Sequence, residues 1–190
     1  MKIILASGSP RRKELLARLG VDFSVIVSPA EEIDDVSLGI IGLCTENARL
    51  KCAAVACDFP ECIVIGADTL VFLDGIPFGK PKSLEEAAGM LRSLSGREHQ
   101  VCTGVYIAGP GSQSITLYDI SNVTFHQLDE ATIAEYHSKM NPLDKAGAYG
   151  IQNYQEMIVQ QIDGSVENVM GFPIHLIRDA LISISPNQVR

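Results

Sequence analysis

The chain has 190 residues, 46% of them hydrophobic and 20% charged, with a formal net charge of −8. That is the composition of a folded chain with a sizeable core, one domain or one domain with a lobe. It opposes nonspecific binding to nucleic acid, which depends on neutralising many phosphates at once, and no window is apolar for the length of a membrane span.

Residues 2–6 read as a strand, so Met1-Lys2 leads into folded chain rather than a signal peptide, and the expected location is cytoplasmic. The strand runs into the turn SGSP and a helix over residues 10–19, with Ser9 as its cap, Pro10 at its first position and Gly20 closing it. Arg11 and Arg12 stand at the positive end of that helix, where acidic side chains are usually preferred. Two cations there call for an anion. Ser7, Ser9, the turn amides and two guanidiniums make a receptor for a di- or triphosphate.

FSVIVS reads as a second strand that empties into EEIDD. Glu31, Glu32, Asp34 and Asp35 there fit either a solvated loop or a set of hard oxygen ligands for a cation. Thr45 is placed to cap a helix running to about Cys57 and carrying Lys51. CIVIGADTLVFL is a long apolar strand, and the Asp-Gly of VFLDGIPF predicts a hairpin after it. Asp68 stands inside that apolar strand. A carboxylate there is costly unless it faces an opposite charge, a metal or an open cleft, so it is a candidate base or metal ligand.

Lys80, in FGKPK, sits on stiff backbone just past the hairpin and is a candidate phosphate contact. SLEEAAGMLRSLSG is the best-defined helix, with Ser83 and Glu86 as a capping box and Gly96 at its end. HQVCTGVYIAG and SITLYDISNVTFHQL predict a strand hairpin across GPGSQ, and residues 129–140 another helix. PLDKAGAYGIQ is an ordered loop in which Asp144 and Lys145 pair, while Tyr149 and Gln152 can meet a base by stacking and amide hydrogen bonding. MIVQQIDG is a strand, and PIHLIRDALISI the last helix. Hairpins interleaved with helices predict an α/β protein with a mixed sheet.

Other chemistries lack their residues. SGSPRR has no Gly-Lys-Ser/Thr ending and no GxGxxG follows a strand, against both the P-loop and the Rossmann fingerprint. There is no GxSxG elbow, and the four histidines have no ligand spacing. Five cysteines without C-x-x-C pairs argue against a disulfide framework or structural zinc and read as reduced thiols.

LASGSPRRKELL, GADT, GKP, HQVCTGV, PLDKAGAYGIQ and GSVENVMGFP, in that order, resemble the successive motifs of the Maf family of nucleoside triphosphate pyrophosphatases. The resemblance implies an elongated, mixed and curved sheet flanked by helices, related to the inosine triphosphatase-like enzymes, with a cleft between two lobes of a single domain over residues 1–190. It places the general base on Asp68 and the phosphate-binding set on Ser7, Arg12, Lys51 and Lys80. A divalent cation, Mg²⁺ or Mn²⁺, falls to Glu32 and Asp68. Arg11, Thr69 and Gln152 match the subgroup that acts on dTTP and UTP, whereas the subgroup acting on methylated GTP has a bulky aromatic at the first of these places. Val166 and Phe172 depart from the family's usual aromatic and leucine.

The implied reaction cleaves a pyrimidine triphosphate between its α and β phosphates, a house-cleaning activity, and a homodimer is compatible with it. The family link to septum formation offers a second reading, a nucleotide-binding regulator of cell division. A binding module has no need of a carboxylate base beside its phosphate cradle, so Asp68 favours the enzyme.

Overall fold

The computed structural model describes residues 1–186. Strand β1 (Ile3–Leu5) is buried at every position and runs parallel to β2 (Phe23–Val25) on one edge and β3 (Ile63–Leu73) on the other. A strand enclosed in this way reads as an unbroken apolar run, as Ile3-Ile4-Leu5 does. Strand β4 (Ile76–Phe78) folds back antiparallel on β3, with Leu73 opposite Ile76. The Asp74-Gly75 turn between them has φ of 53° and 79°, the two positive values of a type I′ hairpin. With β5 (Glu98–Ala108), β6 (Ser114–Phe125) and β7 (Val159–Asp163) the sheet has seven strands in the order β2-β1-β3-β5-β6-β7, β4 pairing β3 off that path. Parallel pairing at one end and antiparallel β6–β7 at the other make it mixed, as expected.

The helices are α1 (Pro10–Ala17), α2 (Gly39–Ala56), α3 (Leu84–Leu94), α4 (Glu130–Lys139), the short α5 (Val166–Val169) and α6 (Ile174–Ile184). Helix α2 starts six residues before Thr45, which therefore does not cap it. The Thr45 hydroxyl donates back to the Ile41 carbonyl at 2.8 Å instead. The entry to α2 is organised by Asp35, whose carboxylate accepts from the Ser37 amide at 3.0 Å and hydroxyl at 2.6 Å. Ser83 caps α3 as expected, while the Glu86 carboxylate reaches back to the Lys82 amide at 2.7 Å. Helix α5, absent from the sequence reading, is one turn capped by Ser165, too short to show periodicity.

The chain forms two compact units. One comprises Met1–Asp68, Thr103–Asp119 and the chain from Gly171; the other comprises Thr69–Cys102 and Ile120–Met170. Strands β3, β5 and β6 each contribute residues to both. In the first unit Ile4, Ala6, Cys52, Val55 and Val64 form a buried cluster. Helix α2 lies hard against β3 and β5 there: a Cβ on Gly66 would stand 2.7 Å from the Cys52 nitrogen, and one on Gly104 2.5 Å from the Thr45 nitrogen. Only glycine admits that approach, which brings the helix bearing Lys51 onto the strand bearing Asp68.

In the second unit the core gathers Val71, Leu91, Leu94, Val123, Phe125, Tyr136 and Tyr149. Cys44, Cys52 and Cys102 are buried thiols, with burial pushing Cys52 up to about 11, while Cys57 is exposed. No helix among the described residues is long and apolar enough to cross a membrane.

Candidate active site

Asp68 follows Gly66 and Ala67 on β3, and its side chain is buried. Oδ1 accepts from Lys51 Nζ at 2.6 Å, and Oδ2 is buried with no hydrogen-bond partner among the described residues. A charged side chain in an apolar strand thus meets an opposite charge, and half of its acceptor capacity stays unused. Lys51 reaches there from α2 and also donates to Glu32 Oε1 at 2.6 Å. The bond to Asp68 is partly buried and so stronger than a surface pair, while Glu32 is exposed and its bond is screened by solvent.

Glu32 lies on an irregular segment, and the fold fixes it through a residue that the sequence reading missed. Asn47, buried on α2, accepts from the Ile33 amide at 2.8 Å and donates to the Ile33 carbonyl at 3.0 Å. Asn47 and Lys51 are one helical turn apart, so a single face of α2 holds the acidic segment by its backbone and by its carboxylate. Among Thr45, Glu46, Arg49 and Lys51, one more polar residue carried no signal that set it apart.

In the same unit, Ser9 caps α1 and Pro10 occupies its first turn, as expected. The turn amides are more engaged than expected: the Ser9 amide donates to Ser7 Oγ at 3.2 Å and the Arg12 amide to Ser9 Oγ at 3.5 Å. Arg12 Nε donates to the Gly171 carbonyl at 2.9 Å, and one terminal nitrogen to the Ala67 carbonyl at 2.8 Å and Ser7 Oγ at 3.3 Å. Arg12 therefore braces α1 against the residue preceding Asp68. Burial pushes its guanidinium below the usual range, and the charges of Asp68 and Glu32 work in the opposite direction. Arg11 is half-buried beside it on α1. Ser7, Arg12, Glu32, Lys51 and Asp68 are thus brought together in one unit.

Thr69, Lys80 and Gln152 belong to the second unit. Thr69 is half-buried directly after Asp68, while Lys80 and Gln152 are exposed. The Gly147 amide donates to the Gly79 carbonyl at 3.1 Å, which joins the segment carrying Lys80 to the loop carrying Gln152. Lys145 pairs with Asp144 at 2.6 Å as predicted and also donates to the Asn141 carbonyl at 2.7 Å.

Tyr149 departs from expectation and does not stack on a base. It is 5% exposed, its hydroxyl lies 2.8 Å from His99 Nε2, and its ring stands edge-to-face on Phe125 with centroids 4.8 Å apart. The alternation of glycines around it concealed a core aromatic inside a loop. Of the two departures from the family pattern, Phe172 is fully buried in the first unit and Val166 is exposed on α5.

The residues present suit a hard divalent cation. Glu32 and Asp68 each place a carboxylate oxygen 2.6 Å from one ammonium, so those oxygens stand no farther apart than twice that distance. Asp68 Oδ2, buried with no donor among the described residues, leaves that carboxylate with acceptor capacity beyond its bond to Lys51. Among the described residues no group of three or more His, Cys, Asp or Glu side chains gathers there, so a cation would need further oxygens from elsewhere. Asp35, committed to Ser37, is not part of the pair.

The fold is shared with the Ham1 protein of Staphylococcus aureus, at a TM-score of 0.58 and 20% identity over 96% of this chain and 99% of that one. A HAM1 protein from Coxiella burnetii superposes at 0.57 with 12% identity, covering 96% and 99%. In sequence, the dTTP/UTP pyrophosphatase of Akkermansia muciniphila is 47% identical over 173 residues, 90% of each chain. Proteins of the same name from Bacillus velezensis and Bacillus anthracis are 46% and 45% identical, covering 91% of each chain and 94% and 93% respectively. The profile of the Maf-like proteins matches residues 2–184. A match of that extent shows that this chain belongs to the Maf-like protein family.

Proposed function

We propose that this protein is a nucleoside triphosphate pyrophosphatase that hydrolyses dTTP and UTP to the monophosphate and pyrophosphate. The observation that carries the reading is Asp68, a buried carboxylate with Oδ1 locked on Lys51 and Oδ2 without a partner among the described residues. In this role Oδ2 accepts a proton from a water molecule as the water oxygen bonds to a phosphorus flanking the α–β bridge. The bond from that phosphorus to the bridging oxygen breaks, and the oxygen leaves on the other product. The proton then passes from Asp68 to solvent.

Arg12, Lys51 and Lys80 offset the charge that gathers on the phosphoryl oxygens, with Ser7 as a hydroxyl donor. Glu32 and Asp68 would hold a divalent cation, Mg²⁺ or Mn²⁺, which would supply charge neutralisation and polarise the phosphoryl group. Thr69 and Gln152 read the base. The Gln amide carries both a donor and an acceptor, which matches the O4 and N3–H edge shared by uracil and thymine, and Arg11 braces the same pocket or reaches a phosphate. The support for pyrimidines is the set Arg11, Thr69 and Gln152 together with the names borne by the relatives.

The test is pyrophosphate release from dTTP, UTP, CTP, ATP, GTP and methylated GTP with Mg²⁺ or Mn²⁺. The two uracil-type substrates are expected to be fastest by a wide margin. A purine triphosphate as the best substrate would contradict the pyrimidine assignment.

A further inference from the structure

Two carboxylates, Glu32 and Asp68, meet the cations Lys51, Arg12 and Arg11 in the first unit. Lys51 Nζ lies 2.6 Å from both Glu32 Oε1 and Asp68 Oδ1, and the Arg12 guanidinium feels both carboxylates from α1. Both carboxylates therefore already face cations in the protein without nucleotide. The Lys51 ammonium sits between the same two carboxylate oxygens that a divalent cation would use, and both groups are cations seeking hard anionic oxygen. The two cannot share that place, because like charges a few ångströms apart repel, most strongly on the buried Asp68 side.

From this geometry we infer that Lys51 is a resident counter-cation that competes with the divalent metal and keeps metal affinity low until a polyphosphate draws its ammonium away. The inference rests on the reading of Glu32 and Asp68 as the metal-holding pair. When triphosphate arrives, its oxygens become the new partners of Lys51, and the vacated carboxylates accept the cation that travels with the substrate. Metal and nucleotide thereby help each other bind, a coupling that is reciprocal by thermodynamic necessity. Lys51 thus orders the assembly of the site as well as contacting phosphate, and a lysine serving as a phosphate contact alone would leave metal binding to the nucleotide-free protein unaffected.

The test measures Mn²⁺ binding to the nucleotide-free protein by the paramagnetic resonance signal of unbound Mn²⁺, for wild type, Lys51→Met, Lys51→Gln and Lys51→Met with Asp68→Asn. Removing the ammonium takes one positive charge from between the two carboxylates, so both single variants should bind Mn²⁺ at least about ten-fold more tightly than wild type. The double variant should lose that gain. Equal or weaker binding by the single variants overturns the inference.

A second measurement on wild type covers the case in which the variants do not fold. Acylation of Lys51 by an amine reagent, read by mass spectrometry, should rise when saturating Mg²⁺ takes its place between the carboxylates. Acylation that Mg²⁺ leaves unchanged or lowers overturns the inference. Neither readout involves catalysis, so a protein that fails to hydrolyse UTP yet binds Mn²⁺ more tightly without Lys51 would sink the proposed function and spare the exchange.

Discussion

Arg12 combines a structural and an electrostatic task, and substitution separates them. Its bonds to the Ala67 and Gly171 carbonyls and to Ser7 Oγ hold the start of α1 against the strand that carries Asp68. Arg12→Ala leaves those acceptors short of a donor and should cost about 1–3 kcal/mol of stability in urea unfolding, besides raising KM and lowering kcat for UTP. Arg12→Lys keeps the charge but not the fork, so it should recover part of the binding and little of the stability. An alanine variant as stable and as active as wild type would return Arg12 to the role of a solvated surface residue. His99 offers a different residue-scale test. Burial pushes its imidazole down to about 4 from an ordinary value of 6.5, so the folded protein takes up fewer protons than the unfolded chain between those values. That stabilisation is complete above about 6.5, falls as pH drops toward 4, and amounts to about 3 kcal/mol. His99→Gln, which can still meet the Tyr149 hydroxyl but does not titrate, should show a flatter dependence of unfolding free energy on pH across that window. A variant with the slope of wild type would exclude His99 as the source.

The loop over residues 146–152 is held from α4 and β5. Tyr136 Oη donates to the Gly150 carbonyl at 2.6 Å and accepts from its amide at 3.1 Å, His137 Nε2 lies 3.3 Å from the Ala148 carbonyl, and His99 meets Tyr149. Gln152 lies two residues beyond Gly150. Tyr136→Phe removes the hydroxyl that serves both Gly150 groups, so it should lower stability by about 1–3 kcal/mol and shrink the preference for UTP over GTP. Unfolding curves and the ratio of kcat/KM values check both, and an unchanged ratio would detach the loop from specificity. This clamp was not legible in the sequence, because Tyr136 sits in a polar stretch of helix and its partner is a backbone pair fourteen residues away. What was legible followed from local rules: the Asp-Gly hairpin, the Ser9 and Ser83 caps, and a lone carboxylate in an apolar strand. The start of α2 was missed because Gly39 and the Ile-Ile-Gly after it carry no capping side chain, whereas Thr45 looks like a cap and is not one. Asn47 was missed for a related reason, since one polar residue in a helix reads as surface until its partners are known.

At the scale of the whole chain, a net charge of −8 surrounds a local gathering of Arg11, Arg12 and Lys51. An acidic chain with one basic site repels polyanions in general and admits a small phosphorylated ligand at one place. Glycines at 66 and 104 set the approach of α2 to the sheet, Asn47 sets the acidic segment on α2, and Lys51 joins that segment to Asp68. The motif residues on the turn, the helix and the strand therefore act as one assembly, and the chemistry proposed for them turns on a single atom, Asp68 Oδ2. The most direct measurement is separation of the products formed from UTP by wild type and Asp68→Asn under equal Mg²⁺. Wild type should yield UMP and pyrophosphate in equal amounts with no UDP, and Asp68→Asn, still folded, should form them about two to four orders of magnitude more slowly. UDP and inorganic phosphate as the products, or an Asp68→Asn variant that turns over at the wild-type rate, would contradict the account.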